Sequence, residues 1–194
     1  MRVLPNIPIF QYSNIPVFQH SSFLCPYSII PLRIAMKIIV GIADMQVTND
    51  PEATLITYSL GSCIGVTIYD PLMRVGGILH IMLPESKIDV QKAQQNPWMF
   101  ADTGVPLFFK EAYKLGAEKK RILVKLAGGA QILDESGFFN IGKRNHMALR
   151  KIFWMNNVLI KSEEVGGNVN RTVSLDLLTG KVRVRTSGNG TKEI

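Results

Sequence analysis

The segment from Thr172 to Arg185 constrains the fold more than any other part of the chain. Polar and apolar residues alternate through Thr172-Val173-Ser174-Leu175-Asp176-Leu177 and again through Lys181-Val182-Arg183-Val184-Arg185. A period of two sends successive side chains to opposite faces of a strand, so each run buries one face and wets the other. Leu178-Thr179-Gly180 between them is short enough for a tight hairpin. Such a hairpin must lay its apolar face on a second layer, which the rest of the chain has to supply.

Further strand-like runs cover 37–42, 54–59, 63–69, 77–83, 121–127 and 158–164, and the hairpin strands are expected at 171–177 and 181–186. Two segments carry helical spacing instead. The first runs from Asp102 or Thr103, as cap, to Leu115, with Pro106 near its first turn and Gly116 as its stop. Val105, Phe108, Phe109, Ala112 and Leu115 form its apolar stripe. The second spans about Lys143 to Asn156 and turns Ala148, Leu149, Ile152 and Phe153 inward. Strands come first, helices fall between strands, and the chain closes on a hairpin. That order predicts an α+β fold: a layered sandwich of mixed β-sheets flanked by helices, in a single domain from Met36 to Ile194.

Met1 to Ala35 reads differently. Asn6 to Ser13 is repeated with few changes as Asn14 to Ser21, and the segment contains no acidic residue. Its prolines interrupt helix and strand alike, two copies are too few for a solenoid, and no signal-peptide cleavage pattern follows. The expectation is a disordered or artefactual extension, with Met36 as the natural start.

Composition excludes several classes. With 46% hydrophobic and 19% charged residues the chain is ordinary for a globular domain. The net charge of +7 raises the question of nucleic acid. The basic residues are scattered, however, and the densest run, Lys119-Lys120-Arg121, has no interleaved aromatics on which bases could stack. Only Cys25 and Cys63 are present, too few for a disulfide framework, which fits a reducing compartment. No apolar run is long enough for a transmembrane helix, and the expectation is a cytoplasmic protein with no membrane insertion.

The chemistry concentrates between Thr57 and Pro84. Gly61 and Ser62 permit a tight turn directly before Cys63, at the mouth of a strand where backbone N–H groups converge. The chain returns through the Asp70–Gly77 bend, so that His80 on the next strand can come to the same end as Cys63. A histidine near a thiol lowers its pKa and can protonate a departing amine. A third group must hold the imidazole tautomer, and a threonine hydroxyl such as Thr57 can do so. Each residue also has a plainer reading. A lone cysteine in an apolar strand is usually packing, a histidine in Ile-Leu-His-Ile-Met is usually a satisfied core residue, and Thr57 alone is an ordinary strand residue. Gly128-Gly129 after a strand lacks the Gly-Lys-Ser/Thr of a phosphate loop and reads as a turn. His146 has no metal-ligand spacing and reads as solvated.

Taken together, Leu60-Gly61-Ser62-Cys63, Asp70-Pro71, Gly76-Gly77 and His80-Ile81-Met82-Leu83-Pro84 resemble the signature of the CheD family. Phe100-Ala101-Asp102, Ala127 to Ala130, Ile141-Gly142 with Asn145, Gly166-Gly167 with Arg171, and Leu178-Thr179-Gly180 extend the resemblance through most of the domain. It implies a chemoreceptor glutamine deamidase that works through a cysteine thioester and needs no cofactor or metal. The family's catalytic residues fall on Thr57, Cys63 and His80. Methyl-accepting chemoreceptors are the implied substrates, and the phosphatase CheC an implied partner. Phe138 and Phe139, in a segment that reads as a loop, are candidate docking aromatics. The alternatives are a non-catalytic adaptor that binds receptor or CheC, and an amidase or transglutaminase-like enzyme with other protein substrates.

Overall fold

The computed structural model describes residues 36–131 and 140–194. The extension before Met36 and the docking candidates Phe138 and Phe139 lie outside the described residues.

Among the described residues, ten strands form two mixed sheets of five. The outer sheet joins β1 (Met36–Val40), β3 (Ala53–Leu60), β8 (Arg171–Asp176), β9 (Val182–Thr186) and β10 (Gly190–Glu193), in that order. The central sheet runs β2 (Met45–Thr48), β5 (Val75–Ile81), β4 (Ile64–Asp70), β6 (Leu123–Gly128) and β7 (Ile160–Val165). One pair in each sheet is parallel, β1 with β3 and β6 with β7, and the others are antiparallel. Helices α1 (Val90–Gln95), α2 (Ala101–Lys114) and α3 (Ile141–Met155) complete the described elements apart from two short 3-10 turns. The expected α+β layered sandwich is therefore observed.

Period-two alternation divides the central sheet between two cores. Ile64, Val66, Ile68, Leu79, Ile81, Val124 and Leu126 face the helices, meeting Phe108 and Phe109 of α2 and Leu149 and Phe153 of α3. Tyr69, Ile78 and Ala127 face the outer sheet, against Leu55, Leu60, Val173, Leu175 and Val184. Every residue of β4 and β5 is buried, which explains why both read as continuous apolar runs. Full burial of a Phe, Leu or Ile contributes about 1.5–3 kcal/mol each.

The C-terminal hairpin forms where expected. Asp176 caps its turn by accepting from the Thr179 backbone N–H at 2.9 Å and its hydroxyl at 3.0 Å. The start of α2 differs from expectation. The helix begins at Ala101 with Phe100 as an N-cap that makes no side-chain bond. The Asp102 carboxylate instead accepts from Ser86 N–H and Oγ, both at 2.8 Å for the shorter contacts, and Thr103 Oγ1 donates to Pro97 O at 2.7 Å. Both side chains thus tie the helix to the preceding segment. Pro106 lies inside the helix on its exposed side, where water can serve the carbonyl left without a donor.

Candidate active site

Thr57 is the last paired inward residue before an irregularity in β3. Pairing with β8 shifts between Thr57, opposite Val173, and Leu60, opposite Arg171. Ser59 takes a left-handed backbone conformation there, φ +58°. This bulge lets Thr57 and Leu60, three positions apart, both point into the layer between the sheets, where both are fully buried.

His80 reaches Thr57 from the other sheet. Its Nδ1 lies 2.7 Å from Thr57 Oγ1, and Oγ1 is 2.9 Å from the Val40 carbonyl. A carbonyl oxygen only accepts, so the single hydroxyl proton goes to Val40. Thr57 Oγ1 must then accept from His80 Nδ1–H. The ring is therefore held as the Nδ1–H tautomer, with the Nε2 lone pair bare. Nε2 is buried and has no hydrogen-bond partner among the described residues. The His80 backbone N–H donates to Asp44 O at 3.0 Å, which fixes the residue from its other end.

Cys63 immediately precedes the neighbouring strand, β4. The β4–β5 register pairs Gly65 with His80, so Cys63, two residues before Gly65, is on the same face and one diagonal step from the imidazole, within reach of a long side chain. It is half-buried and packs at the edge of the inter-sheet core. The Cys63 carbonyl accepts from Gly129 N–H at 2.7 Å, and the Gly61 carbonyl from Ala130 N–H at 2.7 Å. Gly128 (φ +117°) lies so close beneath the turn that a Cβ there would come within 2.3 Å of Cys63 O. Gly128 ends β6 and Gly129 follows it, so the pair supports the cysteine loop from the end of a strand. Asn145, fully buried on α3, donates through Nδ2 to Ser62 O at 3.1 Å and Met82 O at 2.9 Å.

The electrostatics differ from the expected lowering of the thiol pKa. Burial pushes the Cys63 thiol up, only partly offset by its own backbone N–H. Burial also holds His80 down at about 4 from an ordinary 6.5, outweighing the attraction of the Asp44 carboxylate. A low-dielectric layer disfavours both charged forms. The resting pair is thus a neutral thiol beside a neutral imidazole with a free lone pair.

Of the residues singled out in the sequence, Thr57 and His80 are in contact, and the β4–β5 register puts Cys63 on the same face, one diagonal step from His80. His146 is not simply solvated, since its Nε2 meets Glu163 Oε2 at 3.2 Å. Among the described residues, no three His, Cys, Asp or Glu side chains gather where they could hold a metal ion. The reading of separate motifs missed the Val40 carbonyl, Asp44 and the bond pattern of Asn145, because these contacts are made by backbone groups and by a side chain far away in sequence.

A family model described as CheD chemotactic sensory transduction matches residues 82–186. The chain is 57% identical over 157 residues, 81% of its length and 98% of the relative's, to the probable chemoreceptor glutamine deamidase CheD 1 of Syntrophus aciditrophicus. Wherever a stretch of 157 residues is laid on a chain of 194, it includes Thr57, Cys63 and His80. Identity is 47% over 152 residues, 78% of this chain and 90% of the relative, to the probable chemoreceptor glutamine deamidase CheD of Solibacter usitatus. It is 44% over 159 residues, 81% and 98%, to the protein of the same name in Syntrophotalea carbinolica. A solved Neisseria meningitidis protein of the DUF152 family aligns at 8% identity and a TM-score of 0.37, covering 67% of this chain and 62% of its own, too distant to carry an argument.

Proposed function

The chain belongs to the CheD family, and from that premise we propose that it is a chemoreceptor glutamine deamidase that uses Cys63 as nucleophile, His80 as general base and acid, and Thr57 to orient His80. The observation that carries the reading is the Thr57 hydroxyl held between Val40 O and His80 Nδ1. It leaves a bare, buried Nε2 on the face that Cys63 shares. An unpartnered buried nitrogen costs stability, and a non-catalytic adaptor has no use for one.

In the proposed reaction the Cys63 thiol proton passes to His80 Nε2 as sulfur attacks the glutamine carboxamide carbon. The resting thiol is neutral, so transfer accompanies attack and no thiolate need be stored beforehand. Negative charge develops on the carboxamide oxygen, against backbone N–H groups of the turn around Cys63. His80 returns the proton to the amide nitrogen, the C–N bond breaks, and ammonia leaves a thioester on Cys63. Water then attacks with His80 as base. The C–S bond breaks, the thiol recovers its proton, and glutamate is released. Glutamine and water become glutamate and ammonia, with no oxidant or reductant.

The partners follow from the same premise. Chemoreceptors are the substrates, acting in the cytoplasm, and CheC is a second partner supported by the family resemblance. Phe138 and Phe139 are the proposed docking aromatics. The test is to incubate purified chemoreceptor fragments with the protein and map amide-to-acid conversion by peptide mass spectrometry. Conversion at a few defined glutamines is expected. No conversion in any receptor fragment that binds the protein would contradict the assignment.

A further inference from the structure

The structure places one side chain across both strands that carry the reacting pair. Asn145 of α3 is fully buried, and its amide nitrogen bonds two carbonyls, Ser62 O on the Cys63 turn and Met82 O just beyond the end of β5. Both partners are acceptors only, so the NH2 must face them and a flipped amide is excluded. Ser62 immediately precedes Cys63, and Met82 follows His80 by two residues. The helix also presses on the support beneath the cysteine loop. A Cβ at Gly142 would come within 2.4 Å of Gly129 O, and Gly129 donates to the Cys63 carbonyl.

The other end of the amide is not satisfied. Asn145 Oδ1 is buried and has no hydrogen-bond partner among the described residues. A buried orphan acceptor is unfavourable, so a residue selected for packing alone would be apolar here. What the amide provides instead is two donors at a fixed spacing. We propose that Asn145 is a positioning residue for the cysteine–histidine pair, tying the Cys63 turn to the end of β5 and thereby setting the gap across which the thiol proton moves. This rests on the assignment of Cys63 and His80 made above.

The test reads the thiol directly and needs no receptor. Alkylation of Cys63 by iodoacetamide, in which His80 takes the thiol proton as sulfur attacks just as in the proposed reaction, is followed across pH in the parent, Asn145→Ala, His80→Ala and the double variant. If Asn145 acts through the pair, Asn145→Ala slows alkylation toward the His80→Ala rate, and adds nothing in the His80→Ala background. With receptor fragments, kcat falls on the order of 100-fold while KM is unchanged, the usual effect of a small misplacement. Should Asn145→Ala not fold, Asn145→Ser, which keeps one donor, is held to the same criteria with a smaller loss. Slowing of equal size in both backgrounds, or none in either, overturns the proposal. If alkylation in the parent does not depend on His80, the catalytic assignment itself fails and the proposal with it. If it depends on His80 but not on Asn145, only the positioning role fails.

Discussion

Gly65 stands directly across from His80 in the β4–β5 pair, and the space its side chain would take is filled from the opposite sheet. A Cβ at Gly65 would come within 3.0 Å of Leu60 Cδ1 and 3.5 Å of Thr57 Cγ2. The outer sheet can therefore close on the central one tightly enough for Thr57 to touch the imidazole. Gly65→Ala should destabilise the protein by about 1–3 kcal/mol, as overpacking does, and should lower kcat by displacing Thr57. Urea unfolding and receptor deamidation check this together. Unchanged stability and unchanged kcat would show that the approach of the two sheets is not needed at this point.

Thr57 should act through the tautomer it imposes. Thr57→Val keeps the shape but removes the hydroxyl, frees the ring to protonate at Nε2, and should cost about 10- to 100-fold in kcat. Thr57→Ser restores the oxygen and should recover most of the rate. A serine variant as slow as the valine variant would contradict this role.

His80 links the site to pH. Its folded pKa, about 4, lies below the ordinary 6.5 because burial opposes the charged ring. The unfolded chain therefore binds the proton more readily between those values. The stability this contributes is fully present above pH 6.5 and is lost as pH falls toward 4. The full loss is on the order of 3 kcal/mol from a shift of this size. His80→Phe should flatten that part of the stability profile. The acid limb of kcat/KM should likewise lie near pH 4, since in the proposed mechanism only neutral His80 can accept the thiol proton. A limb near 6.5 in the parent would mean that the ring is solvated.

Asp70 offers a structural contrast away from the chemistry. Its buried carboxylate accepts from Leu72 N–H at 3.0 Å and Glu118 N–H at 3.0 Å and pairs with Arg121 at 2.8 Å. Burial alone would raise its pKa, but the Arg121 bond and the backbone N–H groups hold it below the usual carboxylate range. Asp70→Ala leaves the Leu72 and Glu118 N–H groups without this acceptor and removes one of the two carboxylates that Arg121 pairs with, Glu118 being the other, and should cost about 3 kcal/mol. Denaturant unfolding measures the loss, and Cys63 alkylation in the still-folded fraction should match the parent. A changed alkylation rate would show that the bend at Asp70 transmits to the site.

Much of this was legible in the sequence because it rests on local pattern. The hairpin from Arg171 to Thr186 follows from alternation and Gly180, and the helix at Lys143–Asn156 from its apolar stripe. That Cys63 and His80 lie at one end of adjacent strands could be read because a single bend joins those strands. Other features depend on contacts between distant residues. β2 has four residues and β10 is exposed throughout, so neither carries a pattern. The bulge at Ser59 uses a residue that rarely takes positive φ. The Asp102 cap was lost to Ser86, a partner no helix rule anticipates. The neutral resting pair follows from burial between two sheets, which spacing alone does not reveal.

The most direct test of the account is ammonia release from purified chemoreceptor fragments by Cys63→Ala, beside the parent at matched concentration. The variant should unfold at the parent's temperature and bind the receptor as well, since a small half-buried side chain is changed. Its ammonia release should fall to the no-enzyme background, and His80→Ala should be nearly as inactive. The double variant should be no worse, because in the proposed mechanism the two residues act as a unit. Full ammonia release by Cys63→Ala would contradict the covalent mechanism outright.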